Sequence, residues 1–162
     1  MTDSKPAIGM DENRLRHCRG VGMKASELGR TLFGWSDEKC RDMFVMGYLH
    51  DVGYQFAQEQ SEHEELGGAL LRSLGFTYWA EIFHHGNPDS TYQSEELLVL
   101  NLADMLTSKD GSATTIPARL ADIASRYGVE STQYVAAKKL ADKLVAQVRE
   151  IDGPQGVLSQ LL

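Results

Sequence analysis

Five histidines and two aspartates carry the chemistry of this 162-residue chain. His17, His50, His63, His84 and His85 are its only histidines, so none follows position 85. Asp51 adjoins His50, and Asp104 lies inside the apolar run from Leu97 to Leu106. Imidazole and carboxylate are the donors that suit first-row divalent metals when no thiolate is offered. Taken singly, each residue has an ordinary explanation. His17 and His63 could face solvent, His84-His85 could rest on Trp79 or Tyr78, and Asp104 could share a polar helix side with Asn101. Together they point to a buried His/Asp metal centre. Asp104 is the most telling, because a carboxylate buried unpaired costs several kcal/mol and a metal removes that cost.

The elements that must position these residues read as helices throughout. The first ten residues are polar and read as a frayed end. From Asp11 a helix runs to Gly34, with Leu15, Cys18, Gly22, Ala25, Gly29 and Leu32 at three- and four-residue steps and His17 at the edge of that stripe. Ser36 caps a second helix, whose body from Cys40 to Leu49 is apolar on most sides and reads as the central, buried one. His50-Asp51 ends it, with Gly53 as the stop. Ser61 with Glu64 reads as a capping box opening a third helix through Leu74, with His63 in its first turn.

A short helix with Trp79, Ile82 and Phe83 leads to His84-His85, and Gly86-Asn87-Pro88 then forces a loop. Ser94 starts the helix that holds Asp104. Thr115 caps a sixth helix, with Pro117 in its first turn, Leu120, Ile123 and Tyr127 inward and Gly128 as stop. The last spans roughly Thr132 to Ile151, with Leu140, Leu144, Val148 and Ile151 on one face. The chain reads as all-α, one domain over 1–162, with a metal-binding core in 11–110 and C-terminal helices in 112–162.

Bulk properties narrow the partners. A net charge of -7 argues against a nucleic-acid polymer, which needs a concentrated basic face. It leaves room for a small phosphorylated substrate, since two divalent ions would bring about four positive charges to one point. Cys18 and Cys40 read as reduced thiols, and no segment reads as a signal peptide or a membrane span, so the expected compartment is cytoplasmic.

The order His17, His50-Asp51, His63, His84-His85, Asp104 resembles the HD-domain superfamily of metal-dependent phosphohydrolases. The phrases Tyr48-Leu49-His50-Asp51-Val52-Gly53, His63 with Gly67-Gly68-Ala69-Leu70-Leu71, Ile82-Phe83-His84-His85 and Leu102-Ala103-Asp104 carry the resemblance. It implies an all-α HD-domain helical bundle, here with two additional C-terminal helices. By the same resemblance His17, His50, Asp51 and Asp104 would hold a first metal. Asp51 would bridge to a second, held by His63 and by His84, His85 or both. Members without the middle histidines are mononuclear, so this chain is expected to be binuclear.

Two ions roughly 3.5–4 Å apart can share an activated hydroxide and neutralise a phosphoryl group, which makes Asp51 and His50 the expected catalytic centre. The ligand types favour iron or manganese over zinc, nickel, cobalt or magnesium. The expected substrate is a small phosphorylated metabolite, foremost a nucleotide.

Many members of the superfamily carry a lysine three residues after the aspartate, where this chain has Tyr54. A phenol donates a hydrogen bond but brings no cationic charge. Arg14, Arg16, Arg19 and Lys24 around His17 are the expected replacements, with Lys109 and Arg119 weaker candidates. Two other readings share the ligand set: a mixed-valent di-iron oxygenase and a non-catalytic nucleotide-sensing HD domain. The C-terminal helices have three readings: a lid, the completion of the bundle, or a homodimer interface. The apolar end from Val157 to Leu162 suits packing against something.

Overall fold

Short polar side chains set most of the helix starts in the computed structural model, which describes residues 5–153 and 156. Asp11 accepts from the Arg14 amide at 2.8 Å to open α1 (Glu12–Phe33). Ser36, Ser94, Thr115 and Ser131 do the same for α2 (Asp37–Leu49), α5 (Glu95–Met105), α6 (Ile116–Tyr127) and α7 (Thr132–Asp152). Each such cap is worth about 1 kcal/mol. Gly34 ends α1 in the left-handed region at φ 62°, as its position in the sequence suggests. α3 (His63–Ser73) and α4 (Trp79–His84) complete seven α-helices among the described residues. No strand forms there; Thr107 and Ala113 make an isolated bridge.

The core differs from the sequence reading in which helix lies at its centre. α2 buries only Cys40, Met43, Met46 and Gly47, while Val45 and Tyr48 are exposed. α5 is the central helix: Leu97 to Ala103 are all buried, and α1, α2, α4 and α7 pack around it. An apolar run surrounded by four helices has no face left for solvent, whereas α2 is covered mainly by α1. From α7, Leu140, Leu144 and Val148 join the core as expected, but Ile151 is exposed. Tyr127 is also exposed, and Val157 to Leu162 lie outside the described residues.

Three local expectations are corrected. Gly53 does not stop α2. It sits in a 3-10 turn (Val52–Gln55) that presses on α3, where an added Cβ would fall 1.8 Å from the His63 carbonyl oxygen. The capping box lies two residues earlier than Ser61 and Glu64, at Glu59 and Glu62, and opens the 3-10 turn Gln60–Glu62: the Glu62 carboxylate accepts from the amides of Gln58 and Glu59 at 3.0 and 3.1 Å. The expected fraying of the first ten residues does not hold at Ile8 and Gly9, whose amides donate to the carbonyls of Ala57 and Tyr54, both at 2.8 Å, and residues 1–4 lie outside the described residues.

α1 and α2 cross closely because Gly22 meets Gly47: a Cβ on Gly47 would lie 2.7 Å from the Gly22 Cα. That crossing brings the first half of α1, with His17, toward the end of α2, with His50. Cys18 and Cys40 are both buried and free, and burial pushes the Cys18 thiol up to about 12, which leaves it inert. No helix among the described residues is long and apolar enough to cross a membrane.

Candidate metal centre

Five elements deliver the cluster. His17 comes from the second turn of α1, His50 and Asp51 from the end of α2, His63 from the start of α3, His85 from the end of α4 and Asp104 from the last turn of α5. His17, His50, Asp51, His63 and His85 are buried. The Asp104 side chain is 27% exposed, so it is the member that looks out of the cluster rather than the fully buried carboxylate its sequence context suggests.

The two oxygens of Asp51 face different partners. Its Oδ1 lies 3.2 Å from His63 Nε2, 3.3 Å from His50 Nε2 and 3.7 Å from His85 Nε2. Its Oδ2 lies 3.1 Å from the Arg14 guanidinium and 3.8 Å from His17 Nε2. Asp104 Oδ1 stands 2.9 Å from His17 Nε2 and 3.7 Å from His50 Nε2. Three overlapping triads have donor atoms all within 4.8 Å of one another: His17-His50-Asp51, His50-His85-Asp104 and Asp51-His63-His85.

The far side of each imidazole decides what these distances mean. Nδ1 of His17 donates to the Ser108 carbonyl at 2.8 Å, and Nδ1 of His50 to that of Gly47 at 2.7 Å. Nδ1 of His63 and of His85 donate to the carbonyls of Gln60 and Ile82, each at 2.5 Å. A carbonyl can only accept, so all four rings carry their proton on Nδ1. Four Nε2 atoms therefore turn toward carboxylate oxygens, and a neutral ring would set a lone pair against a lone pair. Only positive charge between them resolves that arrangement: protons on Nε2, or metal ions. His50 Nε2 is fully buried and has no hydrogen-bond partner, an orphaned donor atom that a metal would satisfy. The residues present fit a divalent cation.

Electrostatics agree. Burial alone would lift the Asp51 carboxyl, but His50, His63 and His85 hold it well below its ordinary 3.8. Against the same burial penalty, His17 and His50 hold Asp104 well below 3.8. Burial opposes charge on His85, yet the Asp51 carboxylate raises it to about 9, and Asp104 raises His17 in the same way. The cluster is built to hold cationic charge.

Not every expected residue joins it. His84 turns away: its Nδ1 meets Ser90 Oγ at 3.0 Å and its ring stacks on Tyr92 at 4.9 Å. His84 is the last helical residue of α4 and His85 its extended C-cap at φ -62°, ψ 148°, so the two rings leave the helix end in different directions. Of the expected substrate contacts, Arg14 and Tyr54 stay. The Arg14 guanidinium lies 3.8 Å above the Tyr54 ring, whose other face stacks on His63 at 4.0 Å. Arg16 instead pairs with Glu12 on the surface, Arg19 is exposed, and Lys24 pairs with Glu27 at 3.3 Å. These three point off the outer faces of α1.

The cluster opens into a cleft of about 760 Å³ whose other wall is α6 and the start of α7. Lys109 and Arg119 line it, and so does Arg126, which the sequence reading missed. A signal was available: Arg119, Ile123 and Arg126 are spaced by four and three residues and share one helix face.

A family model described as HD domain matches residues 14–147. Searches of curated proteins and of solved structures each found no match. The matched span contains all six clustered residues and reaches well into α7. With this ligand order, this all-α fold and this family match, the chain belongs to the HD-domain superfamily of metal-dependent phosphohydrolases.

Proposed function

We propose that the protein is a binuclear metal-dependent phosphohydrolase acting on a small phosphorylated metabolite, with nucleotides the first class to test. The observation that carries this reading is the convergence of four Nδ1-locked imidazoles on Asp51 and Asp104 at the floor of an open cleft. A structural ion has no need of a cleft; a catalytic one does. The cleft volume falls in the range of about 300–1,000 Å³ usual for small-molecule sites.

His17, His50, Asp51 and Asp104 would hold one ion, and Asp51 with His63 and His85 the other. Bound there, the metal supplies a nucleophilic hydroxide at neutral pH and Lewis-acid stabilisation of the phosphoryl oxygens. The chain's own part is orientation. Backbone carbonyls fix four ring tautomers, and Tyr54 packs the His63 ring in place. Arg14, held between Asp51 and Tyr54, sets a guanidinium beside the reacting phosphoryl group. Nitrogen-rich ligation favours iron or manganese over magnesium.

Metal analysis of purified protein, followed by a nucleotide and phosphoester panel with the metal found, tests the reading. Asp51→Ala removes the bridging carboxylate, so both metal content and phosphate release should be lost. Full activity in that variant would refute the assignment. Oxygen consumption without phosphate release would move the protein to the di-iron oxygenase class, and tight nucleotide binding without product to the sensors.

A further inference from the structure

Tyr54 leaves the site without a lysine beside the metal ligands, and the opposite wall of the cleft offers another cation. Three buried side-chain atoms among the described residues lack a hydrogen-bond partner: His50 Nε2, Glu81 Oε2 and Arg119 Nη1. The first belongs to the metal centre. Arg119 lies on α6 and lines the same cleft as His17, Asp51 and Asp104.

Arginine is seldom buried unless paired, and a buried donor without an acceptor is costly. The Arg119 side chain is 15% exposed, and its nearest carboxylate, Asp122, stands 3.9 Å away, beyond hydrogen-bond reach. Asp122 is already engaged by Arg126 at 2.9 Å. Arg14 is likewise occupied, by Asp51 and the Tyr54 ring. Among the described residues Arg119 is therefore the cleft guanidinium that lacks a hydrogen-bonding acceptor. Lys109, exposed and without an ion pair among the described residues, adds charge from the loop between α5 and α6.

We infer that Arg119, supported by Lys109, forms an anion clamp for a second phosphate of the substrate, separate from the phosphoryl group at the Asp51 centre. A monophosphate would be held at the metal end alone and would leave the clamp empty. A diphosphate or longer chain would span both. Ile123, Ala137 and Leu140 line the same cleft and offer apolar surface for the remainder of the molecule. The inference rests on the hydrolase reading only in placing the scissile group at Asp51.

The test uses the manganese-loaded full chain and two phosphonates that resist hydrolysis, methylenediphosphonate and methylphosphonate, titrated calorimetrically. Wild type should bind methylenediphosphonate at least about tenfold more tightly, the scale of one charge-assisted contact. Arg119→Met should erase most of that preference and leave methylphosphonate affinity unchanged within about twofold. Arg119→Gln should give the same loss, which covers disturbance of α6 by methionine, and Arg16→Ala should keep the preference. Equal binding of both probes by wild type, or a preference retained in both Arg119 variants, overturns the clamp. Phosphate release is not read in this experiment, so an inactive protein would count against the hydrolase reading alone.

Discussion

Asp51 is the residue on which the site turns, because one of its oxygens faces His50, His63 and His85 and the other faces His17 and Arg14. The adjacent histidines make the sharpest contrast at this scale. His85 aims Nε2 at Asp51, whereas His84 is held by Ser90 and Tyr92. His85→Ala should lower metal affinity by more than the 10–100-fold typical of losing an outer-shell partner, and His84→Ala should leave it nearly unchanged. Metal content after dialysis against a graded chelator series measures both. Equal losses would mean that the pair had been told apart wrongly. Tyr54 matters through contact rather than charge: it stacks on His63 and carries Arg14.

At the scale of elements, the site depends on how closely backbones approach. The 3-10 turn after Asp51 can reach α3 only because residue 53 has no side chain; a Cβ there would overlap the His63 carbonyl. Gly53→Ala must push α3 and the turn apart, which separates His63 from Asp51. Overpacking costs about 1–3 kcal/mol, and at about 2–4 °C per kcal/mol for a chain of this length the melting temperature should fall by roughly 5 °C. Metal affinity should fall with it. A thermal scan beside a metal titration checks both, and a variant as stable as wild type would show that the turn yields without strain. α6 contributes differently, presenting Arg119, Ile123 and Arg126 to the cleft rather than to the core.

For the whole molecule, the cluster couples stability to pH and to metal. In the metal-free chain His85 is raised to about 9, so its contribution is fully present below 6.5 and is lost as pH rises through 9. Asp51 and Asp104 are depressed, so theirs is present above 3.8 and is lost as pH falls below it. Chelated protein should therefore be most stable between those limits and should weaken from pH 6.5 toward 9. Metal binding must expel the His85 proton, so the gain in melting temperature on adding metal should grow over the same range. Thermal scans of chelated and loaded protein across pH 6 to 9 would show it; a chelated protein that grows more stable over that range would contradict the reading.

The family's ligand order was legible from residue types alone, because donor chemistry and helix punctuation are local properties. Asp11, Ser36, Ser94 and Thr115 cap the helices they precede, and the all-α class follows from apolar periodicity. Three-dimensional packing decided the rest. Which of His84 and His85 joins Asp51 depends on the exit angle of α4. That α5 rather than α2 is central depends on how many helices surround an apolar run, which periodicity does not encode. Arg16, Arg19 and Lys24 lie near His17 in sequence but radiate from other faces of α1, while Arg119 and Arg126, about a hundred residues away, line the same cleft. Side-chain direction on a helix repeats every few residues, but which direction meets a distant helix is set only when the chain has folded.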